Sequence, residues 1–217
     1  MTGIPRDLRH EPRWPAAIAL VLAIVLYLLL PQSLVVGPKW VVPVIEGVLL
    51  LVLIVANPDR SDPDSRMLRA LSIALIAVLS IAIITALGLL VRDLLDERDI
   101  EGKRLIYAAV ALWWTSVIVY ALWYWELDGG GPARRHDLPE RRRDFLFPQQ
   151  ATPEVFSDPW MPSFLDYLYV SFTNSTAFSP TDSMPLSARA KSLMMLQSAS
   201  ALVTIALVAA RAVNILA

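Results

Sequence analysis

The sequence predicts an all-α, polytopic membrane protein with five transmembrane helices and one re-entrant helix, and three observations carry that expectation. Hydrophobic residues make up 56% of the 217, only 18% are charged, and mean hydropathy is +0.52; a water-soluble domain carries about a quarter charged residues. Five apolar stretches approach or exceed the roughly 20 residues that a spanning helix needs. A sixth, shorter apolar run ends in a polar string and is followed by the last spanning stretch. A multi-pass protein of the cell membrane follows, with the lipid bilayer as its first partner. The formal net charge of −1 gives no basic field for nucleic acid. The absence of cysteine removes disulfides, thiolate metal sites and thiol catalysis together.

The first stretch, Trp14–Val36, follows Arg6, Arg9 and Arg13 and has no small-residue cleavage pattern after it, so it reads as a membrane helix rather than a secretory signal. Trp40–Ala56 is slightly short and contains one acid, Glu46. Ala70–Val91 and Leu105–Trp125 are free of charge, and Ser192–Ala210 is the last stretch. With no water to satisfy exposed amides, such stretches are helices. Trp40, Trp113, Trp114, Trp123, Tyr124 and Trp125 fall mostly near span ends, where amphipathic rings favour the interface.

The connections divide the chain. A polar tail, 1–13, precedes a three-helix region, 14–104, and a second unit, 105–217, completes it. Asn57–Arg69 holds Asp59, Asp62 and Asp64, which suit helix capping better than a calcium loop, because the loop glycine and terminal glutamate are missing. Arg92–Arg104 has the i,i+4 pairs Arg92/Asp96 and Asp99/Lys103 and reads as a solvated helical hairpin. Glu126–Trp160 opens on Gly129-Gly130-Gly131-Pro132 and has five arginines between Arg134 and Arg143. No Lys-Ser/Thr follows the glycines, so they are not a phosphate loop. The arginines alternate with Asp137, Glu140 and Asp144 and read as solvated surface, with lipid headgroup binding as the second reading.

Trp160–Asp182 is the segment with chemical character. Pro162 suits a first helical turn, with Ser163 or Asp158 as possible caps. Phe164, Leu165, Leu168, Tyr169 and Phe172 recur at helical spacing, and the string Thr173-Asn174-Ser175-Thr176 follows. A short helix, a polar turn and then a spanning helix is the layout of a re-entrant loop. Non-helical backbone at membrane depth survives only where it is buried in protein or lines water.

These residues carry a resemblance. Ser171–Leu216 resembles the pore-helix, filter and inner-helix segment of potassium-type tetrameric cation channels, whose pattern runs S-x-x-T-x-T-T-V-G-Y-G-D-x-x-P-x-T, then a basic residue and an apolar helix. The matching residues are Thr173 and Thr176, Asp182, Pro185, Ser187 and Lys191. The resemblance makes 105–126 an outer helix, 127–159 a loop, 160–186 a re-entrant helix and turn, and 187–216 an inner helix. It implies a homo-oligomer, four copies around one axis, and a monovalent cation as permeant species. Gln197, Ser198 and Thr204 are then inner-wall polar groups, or else helix–helix hydrogen-bonding residues. The whole-chain layout also resembles an uncharacterised bacterial integral-membrane family, a likeness that implies no activity.

The filter departs from the pattern. Ala177 is followed by Phe178-Ser179-Pro180-Thr181 where those channels have V-G-Y-G. A potassium filter needs rings of aimed backbone carbonyls, which the glycine dihedrals permit. Pro180 fixes φ and lacks a donor, so a potassium-type filter is not expected. Permeating ions would meet hydroxyls of Thr176, Ser179 and Thr181 instead. The expectation is an ion-conducting pore unit; a non-conducting scaffold or a small-solute carrier is the alternative.

Two charges fall inside spans. An ionised group at mid-bilayer costs about 2.5–3.5 kcal/mol on insertion scales, so Glu46 is expected to be protonated or paired. Arg211 is the candidate partner, or else it snorkels to the headgroups. No nucleophile–histidine–acid set and no metal-ligand spacing is present, since His10 and His136 lie outside the spans; no enzyme activity and no cofactor are expected. Orientation is contradictory. Thirteen Lys/Arg fall on the long-loop side against six on the other, which places that loop in the cytoplasm, whereas a potassium-type pore loop enters from outside.

Overall fold

The computed structural model describes residues 13–55, 66–95, 102–132, 134–135, 143–152, 154–155, 160–176 and 182–216, with the side chains of 54–55, 94–95, 102–103 and 211–216 excepted. Among the described residues the chain is all-α but for one short strand pair. Seven helices are described: α1 Trp14–Leu28, α2 Val41–Val55, α3 Arg66–Leu95, α4 Gly102–Leu127, the single turn α5 Pro148–Ala151, α6 Phe164–Thr176 and α7 Ala188–Leu216. Strands β1 (Phe145–Leu146) and β2 (Met184–Pro185) form a two-residue antiparallel ladder, Phe145 opposite Pro185.

Three of the helices are long and apolar enough to cross a membrane: Arg66–Asp93, the α4 stretch Arg104–Gly130, and Ala188–Ala210. Those three match the third, fourth and fifth apolar stretches of the sequence. The first two stretches form shorter helices of 15 residues each, about 22 Å at 1.5 Å per residue. The expected Trp14–Val36 helix stops at Leu28. Pro31 supplies no amide and disfavours helical backbone at the residue before it, and a 3-10 turn, Gln32–Leu34, follows. Leu30, Leu34 and Val35 are nonetheless buried, so the apolar character of 29–35 serves packing without extending the helix. Gly37, at φ 78°, turns the chain back into α2.

Helix α4 is the shared wall. It packs against α1 and α3 on one side and α6 and α7 on the other, and 67% of its apolar window is buried, against 17% for α7. Small residues make the close approaches: Ala108, Ala109, Ala111 and Ala121 on α4, and Ala16, Ala19 and Ala23 on α1, are all buried. Trp123 Nε1 donates to Ser80 Oγ at 2.9 Å and pins α4 to α3. The C-terminal end of α4 lies beside the first turns of α1, α3 and α7, as Arg13 and Glu126 facing one crevice, Arg69 over Gly130 and Arg189 on Asp144 show. The loop that follows α4 closes this end.

Candidate functional site

Helix α6 begins on one half of a capping box. Ser163 donates both its amide and its hydroxyl to Asp166 Oδ2, at 2.7 and 2.8 Å, so the carboxylate satisfies the amide of the residue before the helix, while the Asp166 amide donates to the Ser163 carbonyl. Phe164, Tyr167, Val170, Ser171 and Ser175 then form one buried stripe, the i, i+3, i+7 spacing of a single helical face. The opposite face leaves Leu165, Tyr169 and Phe172 exposed. Phe172 stacks on Trp114 at 5.7 Å and meets Trp113 edge-on at 5.8 Å.

The polar end of that stripe meets a fully buried amide on α7. Gln197 Nε2 lies 2.7 Å from Ser175 Oγ, 2.6 Å from Ser171 Oγ and 2.9 Å from the Ser171 carbonyl, so its protons are shared among three acceptors. Gln197 Oε1 accepts from Asn174 Nδ2 at 2.9 Å and from the Tyr124 hydroxyl. Ser171 Oγ donates onward to the Val117 carbonyl of α4 at 2.6 Å. Asn174 also donates to the Met194 carbonyl and accepts from Ser198 Oγ. One amide thus ties α4, α6 and α7 into a single polar knot among apolar side chains.

The second polar assembly closes the end of α4. Asp128, fully buried, accepts at Oδ1 from the amides of Asp144 and Phe145 (2.6 and 3.2 Å) and at Oδ2 from the Tyr167 hydroxyl (2.6 Å). Arg135, also fully buried, donates to the Tyr167 hydroxyl and the Trp125 carbonyl and stands 3.9 Å from Asp128. Its guanidinium lies 4.8 Å from the Tyr167 ring centroid. Asp144 accepts from the Gly129 amide and from both Nε and Nη2 of Arg189, at 2.9 and 2.8 Å, a two-pronged pair reaching the first turn of α7. Burial pushes the Asp144 carboxyl up, but the Arg189 fork, the Ser187 hydroxyl and the Gly129 amide outweigh it and hold it below the usual carboxylate range. Gly129 is required here: at φ 58°, a side chain would meet Arg135 Cβ at 3.1 Å.

The sequence-derived site residues fall into three groups. Ala177, Phe178, Ser179, Pro180 and Thr181 lie outside the described residues. Thr173 and Thr176 turn their hydroxyls back onto α6 carbonyls, at 2.8 and 3.0 Å; Asp182 is exposed, Pro185 pairs in β2, and Ser187 caps α7 by accepting from the Ala190 amide. Gln197 and Thr204 face into the subunit, Thr204 donating to the Ser200 carbonyl at 2.8 Å, and Ser198 is half-buried on α6. Of the two roles open to them, hydrogen bonding between and within helices is what the geometry gives Gln197 and Ser198. Glu46 is fully buried on the α2 face that carries Val42, Leu49 and Leu50, and neither carboxylate oxygen has a partner among the described residues. The side chain of Arg211 lies outside them.

One sequence reading is corrected. Arg135, Arg143 and Asp144 are not solvated loop charges; each is at most 5% exposed. The signal was present in Asp128 and in the three positive-φ glycines that follow, Gly129, Gly130 and Gly131, but the hydrogen-bond partners of these charges lie 10 to 45 residues away. Arg143 is the odd member of the cap. Asp128 and Asp144 are matched by Arg135 and Arg189, while among the described residues Arg143 reaches only Met161 Sδ at 3.5 Å, and its Nε and Nη1 have no acceptor there.

Three outcomes follow for the purified protein in mild detergent. Gln197→Leu strands four polar partners, and at about 0.6–1.7 kcal/mol per interhelical hydrogen bond it lowers stability by roughly 2–4 kcal/mol in denaturant titrations. Arg143→Met removes an unmatched buried charge beside an apolar thioether, so melting temperature rises, by about 1–3 kcal/mol of stability. The Asp144 carboxyl titrates lower in the folded chain than its unfolded value of about 3.9. Its contribution is therefore complete above that value and is lost as pH falls through the folded-state value. Asp144→Asn melts lower at pH 7, and its melting temperature falls less steeply than that of the native chain between pH 5 and the acid limit.

Among the described residues, no group of three or more histidine, aspartate or glutamate side chains is placed to hold a metal ion. Compared with protein-family models, with curated proteins and with solved structures, the chain matches none at a significant level.

Proposed function

We propose that the chain crosses the membrane five times, that α6 enters the bilayer without crossing it, and that α4, α6 and α7 form a pore unit around which several copies assemble. The observation that carries this reading is the Gln197 knot: a 13-residue helix too short to span is held between two spanning helices through a fully buried amide. The C-terminal end of α6 leads into 177–181 and then to the exposed Asp182, the order of elements that a pore loop requires. On α7, Met195, Leu202 and Val203 lie exposed, a face that lipid or a second copy can cover. Four copies around an axis would bring four 177–181 segments together, with Ser179 and Thr181 hydroxyls facing a monovalent cation. The reading makes the protein an ion conductor without potassium-type selectivity and not an enzyme.

A second reading is favoured by one observation. Gln197 and Thr204 are turned into the subunit, so the outward face of α7 is mostly apolar and offers ions little. That face suits a non-conducting oligomeric scaffold.

Oligomeric state in nanodiscs and ion flux from proteoliposomes separate the readings. The pore unit gives an oligomer, and a cation flux that changes by about tenfold or more when Ser179 or Thr181 is replaced by alanine. An oligomer without flux leaves the scaffold. Saturable uptake of a solute by a monomer leaves a carrier, and a monomer overturns the pore.

A further inference from the structure

At the closed end of the bundle, α1, α2, α3 and α4 do not meet completely. They leave a crevice of about 270 Å³. Its walls are aliphatic: Leu20 from α1, Leu50 from α2, Leu75 from α3 and Leu122 from α4. No polar group converges on its interior apart from Ser72, so a water-soluble metabolite would find nothing to orient it. An alkyl chain would.

The mouth is different. Arg13 lines it from the residue before α1. Arg69 lies one turn before Ser72 on α3, and its Nη1 reaches over Gly130, 3.8 Å from where a side chain there would begin. Gly130 therefore keeps the space in front of Arg69 clear. Neither Arg13 nor Arg69 has a side-chain hydrogen bond or ion pair among the described residues, and the Arg69 Nε is buried without an acceptor. Glu126 also borders the crevice, but it is 5% exposed, packed under Gly131 and engaged by another group. Arg13 thus borders the apolar slot, and Arg69 stands one turn beyond its Ser72 wall, both guanidinium groups unmatched among the described residues.

The geometry points to an anionic phospholipid bound in this crevice, with one acyl chain between α1, α2, α3 and α4 and the headgroup phosphate on Arg13 and Arg69. Guanidinium pairs with phosphate through two parallel hydrogen bonds, and the aliphatic walls take the methylenes that water would otherwise hydrate. A zwitterionic headgroup brings its own cation beside the phosphate and gains less from two arginines. The site lies between α4 and the helices α1, α2 and α3, and stands whether or not the protein conducts.

Native mass spectrometry of the delipidated full chain, titrated with dioleoylphosphatidylglycerol or dioleoylphosphatidylcholine, tests it. One phosphatidylglycerol per chain is retained in preference to phosphatidylcholine, and Arg13→Gln and Arg69→Gln each weaken it about fivefold, the worth of one basic residue near an anionic headgroup. Leu53→Trp fills the slot without touching charge, and weakens both lipids alike. Inorganic phosphate at millimolar concentration does not displace the lipid. Equal binding of the two lipids, an unchanged preference in the double arginine variant, unsaturable binding of many lipids, or displacement by phosphate alone would each overturn the assignment.

Discussion

The carboxylate of Asp128 is the point on which the arrangement of the second unit depends. It sits one residue past α4 and uses both oxygens, one on the amides that start β1 and one on Tyr167 of α6. Because Asp144 is held by that contact, its own carboxylate is aimed at the Gly129 amide and at Arg189 of α7. A chain of hydrogen bonds therefore runs from the end of α4 through the loop to α6 and α7. Asp128, Tyr167 and Asp144 are buried, where an unmade hydrogen bond costs far more than a made one gains, while Arg189 closes the chain from the surface, its side chain more than half exposed. The closed end is consequently specified as a unit: its pieces hold one geometry together.

The Gln197 knot does at the middle of the helices what Asp128 does at their end. Both join the same three elements, α4, α6 and α7, and between them they hold α6 at two points along its length. The aromatic contacts of Phe145 with Tyr124 and Tyr167, at 5.1 and 6.2 Å, fill the space between the two polar centres. Helix α4 bears the consequence. It must satisfy α1 and α3 on one face and α6 and α7 on the other, so its face toward α6 cannot be repacked without disturbing the wall it shares with the rest of the bundle.

Much of this was legible in the residues. Long apolar runs gave α3, α4 and α7 to within a few residues of their ends, and Pro162, with Ser163 or Asp158 as cap, put the start of α6 within a few residues of Phe164. Pro31 could have been read as a stop, but the apolar residues after it drew the first helix too far. The charged loop was legible only in composition. Arginines spaced among acids look solvated, and nothing in the sequence around it distinguishes Arg135, held by a tyrosine 32 residues on and by the Trp125 carbonyl ten residues back, from the exposed Arg134. The role of Gln197 was undetermined for a different reason. Wall and interface differ by a rotation of α7 about its axis, and that rotation is fixed by Ser171, Ser175 and Asn174 on another helix.

The knot also bears on how the protein is made. Ser171 precedes its amide partner by 26 residues, so α6 leaves the ribosome before Gln197 does. Through that interval Ser175 and Asn174 lack the Gln197 amide, and α6 rests on contacts to chain already made, Tyr167 on Asp128 and Ser171 on the Val117 carbonyl. Synthesis of α7 thus completes α6 retroactively. A chain interrupted between the two would present quality-control proteases with a polar, partly apolar helix that the finished protein conceals.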